Sequence, residues 1–79
     1  MESILKEKWE SAGEWNNRVF YCIGEFEVYE HNGEYFVSGD LFEDIGFEEH
    51  DDILTKEDLI LLTKYATKIT NAKKRFKRK

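Results

Sequence analysis

Residues 18–38 read RVFYCIGEFEVYEHNGEYFVS, and the pair Asn32-Gly33 inside this stretch decides how it folds. Asn and Gly both tolerate positive φ, which a two-residue hairpin turn demands, and alternating apolar and polar residues flank them. With these two residues as the turn, the register follows: His31 faces Glu34, Glu30 faces Tyr35, Tyr29 faces Phe36, Val28 faces Val37 and Glu27 faces Ser38. Strand alternation then separates two faces. Phe26, Val28, Tyr35 and Val37 share a face suited to a core. Glu25, Glu27, Tyr29 and Phe36 share the other, an acidic face with an aromatic pair in it. RVFYCI is apolar on both sides, so Gly24 reads as a bulge or bend where the strand leaves a doubly covered position.

Helices are expected on either side. Ser3 to Ala12 places Ile4, Leu5, Trp9 and Ala12 on one helical face, with Gly13 to end it. After the hairpin, Asp40 caps a short helical turn through Leu41, Phe42 and Ile45, closed by Gly46, and FEEHDD forms a loop. Thr55 and Asp58 have the spacing of a capping box, which starts a long final helix. Leu59, Leu61, Leu62, Tyr65, Ala66, Ile69, Ala72 and Phe76 fall within an arc of about 160° at the helical repeat. The fold class is therefore α+β: a short N-terminal helix, a small antiparallel sheet of two or three strands, and a long C-terminal helix on the Phe26/Val28/Val37 face. Residues 1–79 form one domain, ending in a basic tail over 73–79.

A chain of 79 residues hides only about 60% of its unfolded surface, so its core must be small and well filled. Aromatic residues make up 15% of the chain and supply large buried areas per residue. The single cysteine, Cys22, cannot make an internal disulfide, and no Cys/His spacing suits zinc, so packing or association must supply stability. No apolar run approaches the roughly 18 residues that cross a bilayer, and no signal-peptide order is present, which points to a cytoplasmic protein without membrane contact. Proline is absent and Lys, Ile, Asn, Phe and Tyr are well used. AT-rich codons encode these residues, which suits a bacterial or bacteriophage source.

Charge is the strongest functional signal. The formal net charge of -5 conceals two opposed regions. Met1 to Asp58 carry all 17 acids and four bases, a net of -13, whereas Leu59 to Lys79 carry eight bases and no acid, a net of +8. Summed fields of one sign steer partners of the other.

No catalytic or cofactor motif is recognisable. The five glycines stand singly, which excludes a phosphate-binding loop, and Glu48 to Asp52 lack the spacing of a calcium loop. A metal site or a small hydrolase centre in that stretch ranks below a solvated acidic loop. His31 reads as a polar turn neighbour and Cys22 as a small buried hydrophobe.

Two binding surfaces remain. Glu25, Glu27, Tyr29 and Phe36, with Glu43, Asp44, Glu48, Glu49, Asp51 and Asp52 beyond them, present negative charge in the manner of a nucleic acid. The leading expectation is a non-enzymatic inhibitor or regulator that docks this surface on a basic host protein, such as a nucleic-acid-handling enzyme. The alternative uses the final helix to contact nucleic acid. Lys64, Lys68 and Arg75 form a stripe within about 40° on the helical wheel, and Lys73, Lys74, Lys77 and Arg78 surround it. A homodimer, one basic tail on another acidic face, is a related expectation, and no cofactor is implied. The tail otherwise serves to offset the acidic body.

Overall fold

The computed structural model describes the backbone of residues 2–77 and the side chains of residues 3–73. Helix α1 (Glu2–Lys8) leads into a four-stranded antiparallel meander, β1 (Glu10–Trp15), β2 (Arg18–Ile23), β3 (Phe26–His31) and β4 (Glu34–Ser38), in that spatial order. A 3₁₀ turn (Glu43–Ile45) and helix α2 (Lys56–Lys77) follow. The architecture is α+β, as the alternation and helical periodicity predict.

Three two-residue turns build the sheet. Trp15 pairs with Arg18, Ile23 with Phe26 and His31 with Glu34, each closing a hairpin. Asn32 and Gly33 have φ of 54° and 82°, and all five expected pairs from Glu27↔Ser38 to His31↔Glu34 are present. Asn16 and Asn17, at 54° and 65°, make a second turn of the same kind. Gly24 is a turn residue at φ 60° and not a strand bulge, so RVFYCI ends there as β2.

The N-terminal expectation is corrected at Lys8. The helix stops four residues short of Ala12, and Glu10–Trp15 forms edge strand β1, exposed along its whole length. The Asn16-Asn17 turn folds this polar segment back on β2, which supplies backbone partners that its side chains do not encode. Gly13 lies within β1 at φ 100°, where the register with β2 shifts, instead of ending a helix. Leu5 and Trp9 are buried as expected, but Ala12 is exposed on the strand.

One face of the sheet receives both helices. Phe26, Val28 and Val37 pack with Leu5, Trp9, Phe42, Leu54, Leu59, Leu62 and Ala66, and Tyr35, Tyr65 and Ile69 border them. Phe26 lies 4.9 Å from Phe42 and meets Tyr65 edge-on at 5.7 Å between ring centroids. Trp9 Nε1–H donates to Thr63 Oγ1 at 2.8 Å, tying α1's end to α2. Leu61, assigned to the apolar arc, is 47% exposed, because α2 meets the sheet along the narrower line of Leu59, Leu62 and Ala66.

Start and stop signals act largely as read. Thr55 N–H donates to Asp58 Oδ2 at 3.0 Å and Asp58 N–H donates to Thr55 Oγ1 at 3.1 Å, a reciprocal cap for α2. Gly46 ends the 3₁₀ turn at φ 94°. Asp40 contributes there through its carbonyl, which accepts from Glu43 N–H, and its side chain makes no cap, since the turn begins two residues later than expected. Residues 50–54 run beside β4, with His50 N–H donating to Val37 O and Leu54 N–H to Tyr35 O. The β4 edge is thereby covered.

A substitution at Gly24 tests the packing of α2 on the β2–β3 turn. An added Cβ would stand 2.5 Å from Thr70 Oγ1, in a left-handed backbone conformation. Gly24→Ala is expected to destabilise the fold by about 2 kcal/mol or more, of which roughly 1–2 kcal/mol is the left-handed penalty. In a Thr70→Ala background the cost should fall toward that penalty alone, as read by urea denaturation of all four chains.

Candidate functional site

Strand alternation that sends Tyr21, Ile23, Phe26, Val28, Tyr35 and Val37 toward the helices leaves Arg18, Phe20 and Cys22 of β2 on the opposite face. Glu27, Tyr29 and His31 of β3, and Glu34, Phe36 and Ser38 of β4, lie there with them. No helix covers this face among the described residues. Its centre is an aromatic row across three strands. Tyr29 lies 5.5 Å from Phe20 and 5.3 Å from Phe36 between ring centroids, the latter pair nearly parallel at 24°.

Tyr29 was expected to be an exposed partner-binding residue, and it is only 4% exposed. It is enclosed by Phe20 and Phe36, by the Arg18 guanidinium 5.5 Å from its ring centroid, and by the His50 ring at 5.4 Å. Its hydroxyl is 2.7 Å from His50 Nδ1, and His50 Nε2 is 3.2 Å from Glu49 Oε2. The consistent arrangement has the phenol donating to Nδ1 and Nε2–H donating to the carboxylate, which also accepts from Gly39 N–H at 3.1 Å. This chain pins the 47–52 loop onto the sheet. Such geometry holds a loop in place.

The remaining predicted acids divide by position. Glu27 is half-buried on the open face, and Glu49 reaches its rim through His50. Glu43, Asp44, Glu48, Asp51 and Asp52 are exposed on the segment after β4. Glu48 N–H donates to Asp52 Oδ2 at 3.3 Å. A side-chain hydrogen bond with Asp51 holds the Glu48 pKa above the ordinary glutamate value, aided by the charges of Asp51, Asp52 and Glu43. Glu25 does not belong to this group. It is in the β2–β3 turn, where its carboxylate pairs with Lys73 of α2, because the turn projects it over the helix.

Several residues that shape the face were not assigned to a binding surface in the sequence. Trp15, Asn16, Arg18, Phe20, His31, Ser38 and His50 join Tyr29 and Phe36 around a cleft of about 570 Å³. The Asn16-Asn17 pair was the available signal, since a turn there brings Trp15 opposite Arg18. His31 is more than a turn neighbour: its Nδ1 is 3.3 Å from Asn17 O and its Nε2 3.3 Å from Asn32 Nδ2, joining the first and third turns. Cys22 is half-buried on the open face rather than in the core, and desolvation, with Glu10 and Glu27 as cross-strand neighbours, raises its thiol pKa.

Of the basic set, Lys64 and Lys68 are exposed on α2, where they line a groove against α1 with Lys8, Thr63 and Thr67. The side chains of Lys74, Arg75, Lys77 and Arg78 lie outside the described residues. Among the described residues no group of three His, Cys, Asp or Glu side chains is placed to hold a metal ion, and no helix is long and apolar enough to cross a membrane. Comparison of the chain with protein-family models, curated proteins and solved structures finds no match.

Two measurements test this geometry. Tyr29→Phe keeps the ring and removes the bond to His50, so stability should fall by about 0.5–1.5 kcal/mol, with faster hydrogen exchange at His50 and Leu54. Glu48 should titrate above an ordinary glutamate in side-chain carboxyl NMR, and Asp51→Asn should lower its midpoint. Because folding raises this pKa, any stabilisation it brings is present below the unfolded value and is lost as pH rises through the folded one.

Proposed function

We propose that this protein is a non-catalytic binding module, an inhibitor or regulator that docks the open sheet face on a basic surface of a protein partner. The observation that carries the reading is the pinned loop. The Tyr29–His50–Glu49 chain brings the acidic 47–52 segment to the border of a face whose centre is aromatic. An aromatic and arginine centre inside a charged border is the composition of energetically dominant protein interfaces. Glu27, Glu34, Glu48, Asp51 and Asp52 would supply steering and register, while Phe20, Phe36 and Trp15 would supply buried area. A carboxylate array of this kind suits a partner that ordinarily binds nucleic acid, and so imitation of nucleic acid. The small size and AT-biased composition fit a bacteriophage-encoded inhibitor acting in the cytoplasm in fixed proportion to its target.

A second reading has its own observation. Lys8 of α1 joins Lys64 and Lys68 of α2 along one groove, which gathers three cations away from the open face. Nucleic acid bound there would make the protein a small regulator of DNA or RNA. Lys73, assigned to this surface by the sequence, is instead engaged with Glu25.

The test is capture from nuclease-treated bacterial lysate by wild-type protein and by a Glu27→Lys, Glu34→Lys, Asp51→Lys variant, with labelled duplex and single strands assayed in parallel. A saturable protein partner at fixed stoichiometry is expected, with capture by the folded variant weakened about tenfold at low salt. Undiminished capture by the variant would remove the acidic border from the interface. Tight nucleic-acid binding lost in Lys64→Glu, Lys68→Glu, with a salt slope of about 0.9 per phosphate contact, would replace the first reading by the second.

A further inference from the structure

The cleft at the centre of the open face differs in chemistry from the acidic surface around it. Its lining contains no carboxylate: the polar groups are the Arg18 guanidinium, the His31 and His50 imidazoles, the Asn16 amide and the Ser38 hydroxyl. Both imidazoles are engaged, His50 with Tyr29 and Glu49 and His31 with Asn17 and Asn32, so in a chain whose first 58 residues carry a net charge of -13 the Arg18 guanidinium is the cation of this lining, with Asn16 and Ser38 as its further donors. Glu49 is already committed to His50 and Gly39, and Glu34 lies on the same face opposite His31, outside the lining.

Arg18 is the informative residue. Its guanidinium is held over the Tyr29 ring, and its Nε is fully buried without a hydrogen-bond partner in the structure. That nitrogen has no accessible surface, so packing holds it, and a ligand in the cleft would meet the terminal guanidinium nitrogens. A guanidinium is a planar fork of donors, suited to bidentate recognition of a planar or tetrahedral oxyanion. The surrounding rings, Phe20, Phe36 and the 69% exposed Trp15, offer flat apolar surface beside it. The volume of about 570 Å³ is that of a small-molecule site.

We propose that this cleft binds a flat aromatic ring bearing an oxyanion, carboxylate or phosphate, with the anion on Arg18 and the ring against Trp15 and Phe36. The site shares Trp15, Phe20 and Phe36 with the protein-docking reading but does not rest on it, since it requires only the cleft and its lining. Asn16 and Ser38 supply polar contacts at the lip, and the pinned His50 forms one wall.

The experiment is a heteronuclear NMR titration of the full chain with two probes, adenosine 5′-monophosphate and indole-3-acetate, which separate phosphate from carboxylate sources. Adenosine and inorganic phosphate serve as controls lacking the anion and the ring. At least one ring-bearing oxyanion should shift the Trp15 indole and the Phe36 and Ser38 amides, with the control that lacks its anion or ring at least about tenfold weaker. Arg18→Gln should weaken binding about tenfold or more. Asn16→Asp provides a second variant that tolerates the same left-handed turn and places a carboxylate at the lip, and it should also weaken binding. Absence of shifts from both probes at millimolar concentration would overturn the proposal. So would shifts located elsewhere, equal binding of adenosine, or affinity unchanged in folded Arg18→Gln and Asn16→Asp.

Discussion

One long helix cannot seal both faces of a four-stranded sheet. Strands at about 4.8 Å spacing make a surface wider than a helix, which with its side chains is about 10 Å across, and a small chain has little else to cover it. Here α2 and α1 together close one face through Leu5, Trp9, Leu59, Leu62 and Ala66. The other face is left to what the strands and one loop provide. That asymmetry sets where the aromatic row lies and why the 47–52 loop matters.

The loop solves two problems at once. The backbone N–H of His50, with that of Leu54 just beyond the loop, takes up carbonyls of the β4 edge, which would otherwise invite another strand. Its His50 side chain gives the Tyr29 hydroxyl a partner, so a phenol that is almost wholly buried is satisfied. The opposite edge, β1, is managed differently: it carries Glu10 and Glu14 and is irregular at Gly13. Both edges are thus blunted, and the broad face between them is the part of the sheet open to a partner.

The legible parts of the sequence were those whose chemistry is local. Asn32-Gly33 carries its turn in two residues, and Thr55 with Asp58 carries a helix start in four, so register and cap were read correctly. Strand β1 was misread because Ile4, Leu5 and Trp9 begin a helical pattern that Ala12 happens to extend. The fold is decided instead by positive φ at Asn16 and Asn17. The burial of Tyr29 had no local sign. It depends on His50, 21 residues away, and on Arg18 across a strand. Glu25 sits beside Glu27 in sequence yet serves the helix, since a turn residue escapes strand alternation. Its pairing with Lys73 ties α2 to the β2–β3 turn, although an exposed pair of this kind contributes only about 0–1 kcal/mol.

The central claim is that the face around Tyr29, and not the exposed side of α2, is the working surface. Radical footprinting of the side chains in a purified complex with a captured partner tests it most directly, because it reports contact without altering the protein. The account predicts loss of labelling at Trp15, Phe20 and Phe36, with Ile60 and Leu61 on α2 labelled as in the free protein. Protection confined to Ile60, Leu61 and their neighbours, with the aromatic row unchanged, would contradict it.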